Sequence, residues 1–223
     1  KFYAQEVLGD YLAMDGGRVY PSFTRDQHVR PTSVNPDLPL RWALDFNVDP
    51  MASVVVQTKG EMVWVLDEIY LRNSSTMDAC SEFVRRYPKH AKGVVVYGDC
   101  SGYQRQTTGS TDYEVIQKYM RAYSSLEPSW HMEHKNPAVR DRINTMNRQL
   151  KSAAGAVSMV VDPKCQELIR DFEEVTYKDG SGDIDKNRDR MRTHVSDALG
   201  YLVWQEFQPQ KSGGPQDRRL KGL

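Results

Sequence analysis

The run Gly93-Val94-Val95-Val96-Tyr97-Gly98-Asp99 constrains this chain more than any other segment. It is apolar without alternation, rich in β-branched residues and bounded by glycines. Such a run forms a strand buried on both faces, and that strand needs a packed layer above it and another below. Asp99 ends it at the carboxyl side, where open α/β sheets bind their ligands. Gly98 before Asp99 and Gly102 after it allow close approach of neighbouring groups to the backbone.

The segments around this strand supply the layers. Arg41–Asn47, Ser53–Thr58 and Met62–Leu71 read as strands, with Lys59-Gly60 as a tight turn. Connections this short make the three an antiparallel meander. Helical periodicity follows at about Thr76–Tyr87, which Pro88 ends, and at Asp112–Tyr123. A further helix runs from about Asn136 to Lys151, with Val139, Ile143, Met146 and Leu150 at spacings of three and four. Pro163–Phe172 and Thr193–Phe207 complete the helices, and Trp130–Glu133 and Val157–Val161 are short strand candidates. This order predicts an α/β chain with a mixed sheet, three antiparallel strands followed by parallel ones, flanked by helices: an RNase H-like fold.

The remaining segments set the domain limits. Residues 1–39 read as a lead-in, with Val19–Phe23 as an edge strand because Pro21 excludes a central one. The core domain is expected over 40–208, and 209–223 as a flexible basic tail. Residues 178–192, KDGSGDIDKNRDRMR, read as a mobile loop or hairpin. The chain starts without Met and in mid-pattern, as a piece of a longer protein would.

Composition excludes little. Thirty Lys and Arg balance thirty Asp and Glu, so any basic face has an acidic counterpart elsewhere. No apolar run approaches the roughly 18 residues of a membrane span. The three cysteines, Cys80, Cys100 and Cys165, have no paired CxxC spacing, which points to reduced thiols rather than a zinc site or a disulfide framework.

Three carboxylates carry the chemistry. Asp45 sits between Leu44 and Phe46 in an apolar strand, where an unpaired charge is costly. Asp99 ends the buried strand. Asp197 lies one turn into the last helix, beside the stripe Val195, Ala198, Leu199, Leu202 and Val203 and in line with His194 and Tyr201. Each alone has a structural reading: a satisfied strand Asp, a turn former, and a first-turn residue favoured by the helix dipole. Together they offer hard oxygen donors suited to Mg2+ or Mn2+. Two such ions about 4 Å apart activate a water and stabilise the leaving oxygen in phosphodiester hydrolysis.

The chain resembles the nuclease domain of phage terminase large subunits. The resemblance runs through QEVLGDYLAMDGGRVYPSF, ALDFNVDP, VLDEIYL, VVVYGDCSG, VRDRINTMNRQL, VVDPKCQELIRDFEEVTYK and THVSDALGYLVW. It implies a two-metal endonuclease that cuts concatemeric double-stranded DNA, with Asp45, Asp99 and Asp197 as the acidic cluster. It implies an ATPase domain in the same full-length protein, portal and small-subunit partners, and action in the host cytoplasm at the procapsid, with no membrane. The GxxxxGK[ST] phosphate loop of the motor half is absent from this sequence, so ATP hydrolysis is not expected of it.

His194 matches a histidine that some relatives carry three residues before the last Asp, and is a candidate accessory ligand or proton shuttle. Glu68 and Asp49 are further accessory candidates; Asp67 and Glu68 point to opposite faces of their strand, so at most one faces the cleft. Arg105, Lys118, Arg140, Arg142, Arg148, Lys186, Arg188, Arg190 and Arg192 are candidate DNA contacts, with solvated surface as the alternative for each. The loop 178–192 is expected to gate or guide DNA. The rival readings are another RNase H-like enzyme, of the resolvase or transposase kind, and a catalytically silent module that docks on DNA or portal.

Overall fold

The computed structural model describes residues 17–107 and 109–208. The lead-in before Gly17 and the basic tail from 209 lie outside the described residues. Strands β1 (Leu40–Asp45), β2 (Met51–Lys59) and β3 (Met62–Leu71) form the expected meander. Helix α1 (Arg25–His28) precedes them. Helix α2 (Thr76–Arg86), β4 (Val94–Gly98), a 3-10 turn (Cys100–Tyr103) and α3 (Asp112–Tyr123) follow. Then come β5 (Pro128–Met132), α4 (Val139–Leu150), β6 (Met159–Val161), α5 (Gln166–Glu174) and α6 (His194–Phe207).

The six strands make one sheet in the order β5-β4-β1-β2-β3-β6. The pairs β1/β4, β4/β5 and β3/β6 are parallel, and β2 alone runs against its neighbours. The carboxyl ends of β1, β3, β4, β5 and β6 therefore lie at one edge. Strand β4 is central and covered on both sides, as its unbroken apolar run requires.

Alternation along the strands divides the core into two layers. Leu40, Trp42 and Leu44 of β1 join Val94 and Val96 of β4 against α2 and α3. Ala43, Val54, Val56 and Tyr97 face the other way, against α4, α5 and α6. By the same parity Asp45 and Asp99 belong to the α6 side. Strand β3 carries one extra residue opposite Val55/Val56, a bulge that resets its parity. Val63 and Val65 face the α4–α6 layer, yet past the bulge it is Glu68, not Asp67, that does so. Asp67 turns to α2, where it accepts from Arg86 Nη1 at 2.8 Å and from the Tyr87 hydroxyl at 3.2 Å.

One expectation changes. Val19–Phe23 is not a strand: only an isolated bridge joins Arg18 to Thr176, and Val19, Tyr20 and Phe23 bury their side chains in the α4–α6 layer instead. Aromatic packing wins over the edge ladder, with the Tyr20 and Phe23 rings each 5.0 Å from Phe172. The first half of 178–192 takes the hairpin alternative, with Tyr177 bridging antiparallel to the buried Ile184, and Arg192 at its far end is held in ion pairs. None of the helices is long and apolar enough to cross a membrane, among the described residues.

In the α2–α3 layer Phe83 is fully buried and stacks on Trp42 at 4.3 Å between centroids. Phe83→Ala is expected to cost about 3–5 kcal/mol. Urea unfolding should show a lower midpoint at unchanged slope; an unchanged midpoint would mean that the layer carries no such weight.

Candidate nuclease site

The polar groups of interest meet at the sheet edge where the parallel strands end. Asp45 is the last residue of β1 and Asp99 directly follows β4. Helix α6 lies across β1, β2 and β4 on one face and brings His194 and Asp197 to that edge from its first turn. Two glycines make room behind Asp99. A Cβ at Gly98 would stand 2.8 Å from both Phe46 and the Tyr113 hydroxyl, and one at Gly102 would be 2.5 Å from Phe46. That clearance lets the Tyr113 hydroxyl donate to the Asp99 carbonyl at 2.7 Å and fix the turn after β4.

Each carboxylate has a definite partner. Asp45 Oδ2 accepts from His194 Nδ1 at 2.8 Å. The other imidazole nitrogen, Nε2, donates to the Arg190 carbonyl at 3.0 Å. Both ring nitrogens thus face acceptors, an arrangement that suits the imidazolium. Burial works against that charge, but the Asp45 bond and charge outweigh it and hold the His194 pKa above its ordinary value. Asp197 Oδ1 pairs with Arg142 Nη2 at 2.8 Å, and Oδ2 with Lys186 Nζ at 3.0 Å. Arg142 Nη1 also donates to the Asp197 carbonyl at 2.9 Å, and its guanidinium lies 4.5 Å from the Tyr201 ring centre. Asp99 Oδ1 accepts from the Ser101 hydroxyl at 2.7 Å.

Asp45 feels the other two acids. Burial raises the Asp45 pKa, His194 pulls it down, and the charges of Asp197 and Asp99 push it up again. His194, Arg142 and Lys186 supply three cations to balance three carboxylates. The donor set fits a hard divalent cation: carboxylate oxygens from β1, the end of β4 and α6, crowded enough that Asp45 resists ionising without positive charge beside it. As placed, Asp45 Oδ2, Asp99 Oδ1 and both Asp197 oxygens are turned to protein partners, and among the described residues no group of three His, Cys, Asp or Glu stands ready to hold an ion.

Of the accessory candidates, only His194 joins the cluster. Glu68 shares a face with Asp45 but lies two strands away, and its oxygens accept the Glu167 and Leu168 amides at 2.9 Å each. Asp49 forms a bidentate pair with Arg72 and also accepts from the Asn73 amide.

The predicted DNA contacts divide likewise. Arg142 is buried against Asp197, and the largely covered Arg192 is engaged by Glu167 and Asp171, so neither is a free surface cation. Arg148 donates to the Phe207 carbonyl, Lys118 to the Ser110 hydroxyl and Arg188 to the Thr176 hydroxyl. Lys186 is the loop cation that reaches an acid of the cluster. Arg105 lines an open groove of about 500 Å3 with Phe46, Asn47, Asn73 and Gln104, just beyond Asp45 and Asp99. Arg140 and Arg190 are exposed.

Sequence reasoning missed the pairing of Arg142 with Asp197. The signal was present in the spacing: Arg142 lies on the Ile143–Met146 side of α4, where a surface cation would be out of place. Asp171 was missed as well, although it sits between Ile169 and Phe172 on the buried face of α5.

No family model and no curated protein matches the chain. Solved structures do. The P22 large terminase nuclease domain superposes with a TM-score of 0.61 at 18% identity, over 87% of this chain and 95% of that one. The SPP1 large terminase nuclease domain with bound Mn gives 0.51 at 18% identity, over 80% and 95%. The large terminase of the thermophilic bacteriophage D6E in complex with ATP-γ-S gives 0.60 at 17% identity, over 84% of this chain but 45% of that one. The chain thus spans less than half the length of the D6E protein. At these identities the likeness shows the fold, the RNase H-like architecture of large terminase nuclease domains.

The Arg142–Asp197 pair is buried on both sides, so removing one partner strands a charge. Arg142→Ala is expected to cost about 3–5 kcal/mol. The double variant Arg142→Ala/Asp197→Ala should lose less than the two single losses combined, and an additive cycle by chemical denaturation would show the two residues to be uncoupled.

Proposed function

We propose that this chain is the nuclease domain of a phage terminase large subunit, a divalent-metal-dependent endonuclease that cuts concatemeric double-stranded DNA. The observation that carries this reading is the meeting of Asp45, Asp99 and Asp197 at one sheet edge of a terminase nuclease fold. Bound Mn in the SPP1 domain supports the choice of cation.

Asp45, Asp99 and Asp197 would hold Mg2+ or Mn2+, two ions in this reading, which supply Lewis-acid activation of water and stabilisation of the leaving oxygen. The protein's own groups do the rest. Helix α6 fixes the third carboxylate relative to the two strands. Arg142 holds Asp197 Oδ1 and the Asp197 carbonyl together, so that Oδ2 is the oxygen left to turn outward. His194 stands beside Asp45 with a proton at Nδ1, placed to hold or pass it at the edge of the cluster. Arg105, Arg140, Arg188, Arg190 and Lys186 would contact the phosphate backbone, a sequence-independent and salt-sensitive attachment. The loop 178–192 would gate the site: Lys186 occupies Asp197 Oδ2 and the Arg190 carbonyl occupies His194.

The length of the D6E relative and its complex with ATP-γ-S support an ATPase domain elsewhere in the full protein. Portal, small subunit and the procapsid in the host cytoplasm complete the proposed setting. One observation favours the silent docking module instead, namely that two of the three acids are already neutralised by protein cations.

Plasmid cleavage decides between them. Supercoiled DNA should be cut with Mn2+ or Mg2+ and spared with EDTA, and Asp45→Ala should lose about 100-fold or more, the scale on which removing a key transition-state stabiliser acts. Equal cutting by wild type and variant would end the nuclease reading. Separately, Lys186→Ala should tighten Mn2+ binding by calorimetry, because Asp197 Oδ2 no longer has a competing cation. Unchanged Mn2+ and DNA affinities would remove the loop from the site.

A further inference from the structure

Helix α6 begins without a cap of its own. Thr193 at its N-cap position is left-handed, with φ of 79°, and its side chain makes no capping bond. For a β-branched residue that conformation is strained. The exposed amides of the first turn must find acceptors elsewhere, since buried N–H groups are costly to leave unpaired. The acceptor comes from another helix. Asp171 of α5 is 1% exposed, and its Oδ2 accepts the Ser196 amide at 3.0 Å. Its other oxygen faces Arg192 Nη1 at 3.4 Å, and Arg192 is tied in turn to the Glu167 side chain.

The same device occurs one step earlier. Helix α5 also lacks a side-chain cap, with Cys165 at its N-cap position. Glu68 in the second half of β3 fills that role through the Glu167 and Leu168 amides. A carboxylate on the sheet thus seats α5, and a carboxylate on α5 seats α6. The anchored segment lies inside the functional pair: His194 and Asp197 stand directly on either side of Val195 and Ser196.

We propose that Asp171 is a positioning residue of the nuclease site, holding the first turn of α6 so that Asp197 and His194 meet Asp45 and Asp99, with Glu68 supporting it through α5. The role in catalysis rests on the nuclease reading above; the anchoring of the helix does not. Asp171 is closed off from solvent, and its charged neighbour is Arg192. It acts through the Ser196 amide; burial pushes its carboxyl up to about 7, and the ionised form is favoured by the positive end of the α6 dipole.

The test compares Asp171→Ala, Asp171→Asn and, as a control for lost packing in α5, Leu168→Ala. Leu168 is fully buried in the same helix, and its side chain has no polar group; its amide, which donates to Glu68, is kept in the variant. Amide hydrogen exchange over residues 193–199 of the full chain should quicken in Asp171→Ala and stay near wild type in Leu168→Ala. Asp171→Asn keeps one carbonyl acceptor for Ser196 and should recover most of the protection. Mn2+ affinity by calorimetry should fall about 10- to 100-fold in Asp171→Ala, the range seen when partners that orient metal ligands are removed, and kcat should fall with little change in KM for DNA. Unchanged exchange in Asp171→Ala would overturn the anchoring whatever the activity. Faster exchange with wild-type Mn2+ affinity and kcat would overturn the positioning role. Equal losses in Asp171→Ala and Leu168→Ala would reduce Asp171 to a packing residue. Failure of wild type to bind Mn2+ or cut DNA would instead be failure of the nuclease reading, and the exchange result would still judge the anchor.

Discussion

Helix α6 has to satisfy two opposed demands, and the rest of the site depends on how it does so. Val195, Leu199, Leu202 and Val203 must sink into the sheet's apolar face, while His194 and Asp197 must stay polar at its edge. An amphipathic stripe fixes the rotation of such a helix but not its position along its axis, because apolar contact is non-directional. Directional bonds supply the second coordinate. Asp171 holds the first turn, and Arg142 grips both the side chain and the carbonyl of Asp197. At the far end Glu206 accepts from the Tyr97 hydroxyl at 2.7 Å and pairs with Arg41 at 3.1 Å. Polar contacts near both ends against an apolar middle keep the helix from sliding along the sheet.

That arrangement explains which parts were legible in the sequence. The strands and helices were, because their periods are set by local backbone geometry and by which faces are buried. The meander, the two-faced run of β4 and the α3 helix over Asp112–Tyr123 follow from spacing alone. The three aspartates were legible too, since a carboxylate inside or at the end of an apolar element is conspicuous. What the sequence hid was tertiary: which cation meets which acid. Spacing puts Arg142 on the inner side of α4 but does not name its acid, and Arg192 looks like any surface arginine until the packing of the 178–192 loop turns it inward. Glu68 was hidden for a subtler reason. The bulge in β3 reverses the faces beyond it, and Glu68 then meets the bare start of α5.

The Val19–Phe23 segment makes the converse point. It has the residues of a strand and the proline of an edge, and it is neither. Tyr20 and Phe23 can reach Phe172 only if the backbone turns rather than extends, and burying two aromatic rings outweighs a few exposed ladder bonds. Local propensity is a weak guide wherever large apolar side chains have an alternative place to go.

The electrostatics of the cluster link the fold to its chemistry. Three carboxylates at one edge repel one another, and the chain offsets this with His194, Arg142 and Lys186. These cations are not equivalent. Arg142 is buried and bonded twice to the same residue, so leaving Asp197 would strand a charge in a dry environment. Lys186 has an exposed side chain on a loop, so water can replace its contact at little cost. His194 lies between them, half-buried and able to lose its charge by giving up a proton. The carboxylate cluster is thus held by one fixed cation and two exchangeable ones. With three fixed partners the cluster would be closed to any external positive charge, and with none the acids would repel one another uncompensated; one fixed and two exchangeable cations lie between these limits.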